Sequence, residues 1–211
     1  MRVLSVNVGQ PREIAGEGGT VLTSIFKAPV AGRVRVATLN LDGDRQSDLA
    51  VHGGREKAVY AYPSEHYPRW HAELPGVELP FGIFGENLTL EGLLESEVRI
   101  GDRLRAGSAE FVVTQPRVPC FKLGIRFGRS DIIQLFLDSG RSGFYLSVAR
   151  EGEVGAGDPV EWISRDGHGV TVADVSDLRS ATAPSRDLLR RASELPALPK
   201  EWRDRFRQRL R

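Results

Sequence analysis

The chain contains one cysteine, Cys120, within Thr114-Gln115-Pro116-Arg117-Val118-Pro119-Cys120-Phe121-Lys122. Two prolines stiffen this stretch, because each fixes its own φ, and the thiol emerges between Arg117 and Lys122. Nearby cations favour the thiolate, which is both the nucleophile and the soft metal ligand. The plainer alternative is a buried structural cysteine, since free Cys is among the most buried residue types. One cysteine excludes an internal disulfide and a cluster held by four thiolates.

A second group, Asp48-Leu49-Ala50-Val51-His52-Gly53-Gly54-Arg55-Glu56-Lys57, places an acid, a histidine, two glycines and a lysine close together. Adjacent glycines let a ligand approach the backbone, whose amides can serve an anion. His52 or Asp48 could move a proton. A Cys–His–acid hydrolase can be drawn from Cys120, His52 and Asp48, but spacing alone does not bring them together. Gly85-Glu86-Asn87 reads as a tight turn with two polar side chains that could point into a cleft. Arg141 precedes a strand and offers a planar fork suited to phosphate, although a surface charge at a helix end is the commoner outcome. His66 and His71 lie five apart on an expected helix, too far round to share a metal, and read as surface or packing residues. There is no Gly-x-x-x-x-Gly-Lys-Ser/Thr loop and no His-Glu-x-x-His.

The elements that must position these groups are mostly strands up to about residue 161, short apolar runs parted by Gly, Pro and Asp. Val34 and Val36 share one phase and Leu39 and Leu41 the other, which predicts a bulge near Ala37 and Thr38. Residues 97–115 form an expected hairpin about Ala106-Gly107-Ser108, and residues 58–62 and 144–148 read as buried strands. Ser64 is expected to cap a helix over 65–74, with Pro68 in its first turn. Ser130 is expected to cap another over 131–139, ended by Gly140. Residues 166–169 read as a linker, and Thr171 with Asp174 suits a helix start. Two amphipathic helices are expected over 185–195 and 199–211. The fold class is therefore mostly β, a barrel-like domain over 1–165 with a few helices, followed by a small three-helix module over 170–211.

The chain's 211 residues, 40% hydrophobic and 27% charged, fit a globular protein and are too balanced for disorder. No apolar run approaches the ~20 residues of a bilayer span, and the start shows no signal-peptide pattern. With the lone cysteine, this sets the expectation of a cytoplasmic protein without membrane contact. The net charge of +1 is uneven: from Ser185 onward nine Arg/Lys face four Asp/Glu. A basic tail can attract nucleic acid, but it is more often the solvated face of a helix, and no base-reading signature accompanies it.

In combination, Asp48 with Val51-His52-Gly53-Gly54-x-x-Lys57-Ala58-Val59-Tyr60, Tyr62-Pro63-x-Glu65-His66-Tyr67 with Trp70, Phe84-Gly85-Glu86-Asn87-Leu88-Thr89, the Cys120 stretch and Arg141-x-Gly143-Phe144-Tyr145 resemble a MOSC domain. Order, spacing and the helical tail are most similar to the free-standing YiiM-like subgroup, linked to resistance against 6-N-hydroxylaminopurine. The resemblance covers essentially the whole chain. It implies a barrel-like fold that binds a molybdopterin, with Cys120 as the molybdenum ligand, and reduction of N-hydroxylated small molecules to amines. It also implies that Lys57, Glu86, Asn87, Arg117, Lys122 and Arg141 belong to the cofactor cleft, beside Asp48 and His52. No flavin, haem or iron–sulfur signature is present, so a separate electron-donating reductase is implied. Pyridoxal phosphate is not expected, because no aminotransferase-like domain fits in the chain. The alternative function is a molybdenum-cofactor or sulfur carrier that uses Cys120 without reductase activity. A homodimer is compatible with the sequence, and nucleic acid is not an expected partner.

Overall fold

The computed structural model describes residues 1–16, 19–47 and 53–211, so Asp48 and His52 lie outside the described residues. The first five strands are β1 (Arg2–Val8), β2 (Arg12–Gly16), β3 (Gly19–Thr23), β4 (Ala28–Pro29) and β5 (Arg33–Val36). The middle of the chain gives β6 (Val59–Pro63), β7 (Leu88–Glu91), β8 (Arg103–Ala106) and β9 (Ala109–Pro116). β10 (Phe144–Arg150), β11 (Gly152–Gly155) and β12 (Val160–Ser164) complete the strands. The helices are α1 (Tyr67–Glu73), α2 (Phe121–Phe127), α3 (Ile132–Asp138), α4 (Val172–Ser180), α5 (Arg186–Glu194) and α6 (Lys200–Leu210).

Eight strands form one sheet in the order β12-β8-β9-β10-β6-β7-β1-β4. The ladder is open, yet it curls until the start of β1 meets the chain entering β12. Val3 N donates to Asp158 O at 2.9 Å and Val160 N to Met1 O at 3.1 Å. That partial closure gives the mostly β, barrel-like body. β6 pairs with β7 in parallel, and parallel neighbours need a crossover, here the segment that contains α1.

Period-two alternation makes β6 the central element. Val59 and Ala61 face one apolar core, while Tyr60 and Tyr62 face a second, aromatic one with Trp70, Phe84 and Phe136. Trp70 Nε1 donates to Tyr62 Oη at 2.6 Å, which satisfies a buried polar pair inside that core. The three C-terminal helices pack onto the first core through Leu189, Trp202 and Phe206.

Local chemistry explains most elements. Thr171 and Asp174 form a reciprocal capping box at 2.8 and 3.0 Å, and Ser185 Oγ accepts from Leu188 N at 3.3 Å. Gly140 takes the expected left-handed conformation, φ +66°. Elsewhere the structure corrects the sequence. Instead of a bulge, Ala37 N bonds Asn40 O in a tight turn, and Val36 bridges Leu41; both bury their side chains while Leu39 is left outside. The chain leaves β6 through a 3-10 turn (Ser64–His66) with no Ser64 cap, and α3 likewise has no side-chain cap. The β8–β9 hairpin starts only at Arg103. The expected linker is anchored, because Asp166 N donates to the buried Asp102 carboxylate at 2.8 Å.

Candidate functional site

Cys120 follows the end of β9 and immediately precedes α2, a helix that sequence reasoning missed. Its segment borders a cleft that also meets Ser24, Lys27, Asp44, Asn87, Arg117 and Lys122. The cleft floor is a hydrogen-bonded chain. Asp44 pairs with Lys27 and accepts from Gly9 N at 2.8 Å and Asn87 Nδ2 at 2.9 Å. Asn87 in turn accepts from Tyr60 N at 3.1 Å, which ties the floor to β6. Burial pushes the Lys27 amine down, while Asp44 beside it favours its charge.

Tyr60 on β6 and Tyr145 on β10 are cross-strand partners, and their rings lie 5.3 Å apart on the cleft side. Arg117 lies over the Tyr60 ring at 4.8 Å and the Phe136 ring at 5.3 Å. Burial pushes both phenols up, Arg117 opposing, so they are neutral hydrogen-bond donors at physiological pH. Lys57 closes the mouth on a 3-10 turn (Arg55–Lys57), held where Thr114 Oγ1 donates to Glu56 O at 2.6 Å.

Arg117 and Lys122 are buried cations whose polar contacts are long: Tyr60 Oη at 3.5 Å and Ser47 Oγ at 3.4 Å. Among the described residues neither pairs with a carboxylate. A buried charge is costly unless matched, so this arrangement suits an anionic ligand. Ser24 Oγ on the same cleft is buried and has no partner among the described residues. Those residues also contain no group of three or more His, Cys, Asp or Glu able to hold a metal ion. A metal beside Cys120 must therefore bring most of its ligands with it, and a metal carried by an anionic organic cofactor fits this donor set.

A second cleft shares Lys57, Val118, Cys120 and Tyr145 with the first. Its far wall comes from the C-terminal helices, through Arg179, Glu201, Trp202 and Arg205. Trp202 Nε1 donates to Gln115 Oε1 at 2.8 Å, which locks α6 to β9 at this edge.

Of the residues singled out in the sequence, Cys120, Lys57, Asn87, Arg117 and Lys122 meet at the first cleft. Two do not. Glu86 is fully buried and accepts from Gly82 N at 2.7 Å, Phe84 N at 3.1 Å, Thr89 Oγ1 at 3.0 Å and Tyr67, so it braces the turn carrying Gly85 rather than facing the cleft. Arg141 pairs with Glu73 at 3.1 Å over the Trp70 ring. His66 packs on Tyr62 and bonds Glu95 at 2.8 Å, in line with a packing role. Lys27, Asp44, Tyr60 and Tyr145 escaped the sequence reading. For the tyrosines the alternation of β6 and β10 was an available signal, since it turns both away from the face of Val59 and Leu146.

Residues 48–161 match the MOSC domain and residues 170–211 the YiiM-like, 3-alpha helix domain. YflK of Bacillus subtilis (strain 168) is 39% identical over 204 residues, 97% of this chain and 92% of that protein. The crystal structure of YiiM from Geobacillus stearothermophilus superimposes with a TM-score of 0.83 at 34% identity, covering 100% of this chain and 99% of that one. A protein of Gibberella moniliformis (strain M3125 / FGSC 7600) named "Reductase" is 32% identical over 197 residues, 92% of this chain but 35% of that longer protein.

Proposed function

Because this chain belongs to the MOSC family and carries the YiiM-like three-helix extension, we propose that it is a molybdenum-cofactor reductase of N-hydroxylated compounds such as hydroxylaminopurines. The observation that carries this reading is the pair of buried cations, Arg117 and Lys122, with no carboxylate partner among the described residues, on the cleft that holds the chain's only cysteine. The similarity to a protein named a reductase supports it, and electrons are expected from a separate reductase.

When bound, a molybdenum centre held by a pterin dithiolene and the Cys120 thiolate would supply the two-electron chemistry. The balance is R–NHOH plus two electrons and two protons giving R–NH2 and water. Arg117 and Lys122 neutralise the cofactor phosphate, and Lys57 and Asn87 line its place. The neutral Tyr145 hydroxyl can donate a hydrogen bond beside Cys120, and His52 or Asp48 supplies protons. The carrier reading rests on the same cysteine and differs only in turnover.

Purification from a molybdenum-replete host, followed by metal and pterin analysis, is the decisive experiment. Both are expected, together with reduction of 6-N-hydroxylaminopurine by a chemical electron donor. Absence of both, in conditions that load a control molybdoenzyme, overturns the reading; cofactor without turnover favours the carrier. Cys120→Ser is expected to lose most of the metal and all turnover.

A further inference from the structure

We propose that the second cleft takes the phosphate of a phosphorylated N-hydroxylated nucleoside, with Arg179 and Arg205 as its anion-binding side chains; this rests on the reductase reading of the Cys120 site. The cleft opens beside Cys120 on one side and on α4 and α6 on the other. It carries Lys57, Arg179 and Arg205 against one acid, Glu201. Trp202 and its bond to Gln115 give this wall a fixed edge.

Most other arginines of the tail are held by partners. Arg209 donates to the carbonyls of Leu178 and Ala181, closing the end of α4. Arg207 bonds Asp204 and Ser193 O, Arg190 and Arg191 bond Asp187, and Arg186 bonds Leu210 O. Those guanidiniums are occupied in holding the helices together. Arg179 and Arg205, by contrast, make no side-chain ion pair or hydrogen bond among the described residues and both line the cleft, whereas Arg203 and Arg211, which also make none, do not line it. A planar guanidinium with unused donors matches phosphate oxygens.

Burial separates the two clefts by the kind of ligand each suits. Arg117 and Lys122 are shut away from water, as suits a resident group, whereas Arg179 is half-buried and Arg205 exposed, as suits a ligand that exchanges at every turnover. The cleft holds about 400 Å³, within the roughly 300–1,000 Å³ range of small-molecule sites. The base end would face Cys120 and the phosphate the helices. The phosphate takes no part in the redox step and leaves its balance unchanged.

Calorimetric titration of the full chain with adenosine 5′-monophosphate, adenosine and inorganic phosphate tests the cleft without turnover. The monophosphate is expected to bind at least tenfold more tightly than adenosine, and R179Q/R205Q to remove that gap. Equal affinities, or a gap that survives the double substitution, overturn the proposal. Arg205→Glu, a reversal at an exposed position, keeps the test valid if the double variant fails to fold. In turnover, R179Q/R205Q is expected to lower at least tenfold the ratio of kcat/KM for the monophosphate of the hydroxylaminopurine riboside over that for the free base. Reduction of both forms with equal kcat/KM overturns the phosphate cleft alone. Arginine-dependent binding of the monophosphate with no reduction of any form upholds the cleft and overturns the reductase reading. Arginine variants that weaken only the response to a protein electron donor overturn the proposal in favour of partner docking.

Discussion

Lys122 is buried beneath the surface, and among the described residues its hydrogen-bond partner is a serine hydroxyl at 3.4 Å. Such a group is retained at a cost to the empty protein. Lys122→Met is therefore expected to raise the Tm of the cofactor-free protein by ~2–4 °C, about 1 kcal/mol, while cofactor content falls at least tenfold. A variant that loses stability and keeps its cofactor would contradict the assignment. Arg141 should behave in the opposite way. Its guanidinium beside Glu73 holds that carboxyl below its ordinary value of 4.5. The Glu73 contribution is thus present above pH 4.5 and is lost as pH falls through the lowered value. Arg141→Gln is expected to lower Tm by ~2–4 °C, roughly 1 kcal/mol, at neutral pH, less in acid, and to leave molybdenum at the wild-type level. Cys120, Arg117 and Lys122 could be read from sequence because they share one short stretch. Lys27 and Asp44 could not, since a buried pair between two irregular segments leaves no period. Arg141 and Glu86 misled for another reason: sequence reveals that a side chain is polar, not which way it points.

At the level of elements, the turn that ends in β7 depends on Glu86. Burial pushes its carboxyl up from 4.5, against hydrogen bonds from Tyr67, Gly82 and Thr89. A raised carboxyl binds its proton more tightly in the folded chain, so its contribution is complete below 4.5 and fades as pH climbs through the raised value. The Tm advantage of the native chain over Glu86→Gln is accordingly expected to be greatest near pH 4.5 and to shrink toward neutrality in a series of thermal melts. An advantage that grows with pH would refute this. Gly143 leads into β10 with φ +59°, and a Cβ there would meet Ala61 O at 2.5 Å, so the approach of β10 to β6 requires glycine. β6 and β10 were legible in the sequence as short apolar runs that read as buried strands. Helix α2 stayed hidden because the prolines before it read as loop and no capping side chain marks its start at Cys120.

For the whole molecule, one apolar core runs from the sheet through the C-terminal helices. Phe206, fully buried in it, is expected to cost about 3–5 kcal/mol on truncation to alanine and to shift a single unfolding transition. Two separate transitions would instead mark residues 170–211 as an independent folding unit. The tail's helices were legible from period and caps. Their seat on the sheet was not, because packing partners are not written in the order of the chain. One consequence follows from Lys57, Val118, Cys120 and Tyr145 bordering both clefts. These four residues act as a party wall between two chambers, and the sulfur is the brick that both sides touch. An alkylating reagent should find the thiol from either chamber, so an occupant of one can only half-shield it. Trimming the sulfur away in Cys120→Gly would leave the two rooms joined by a doorway.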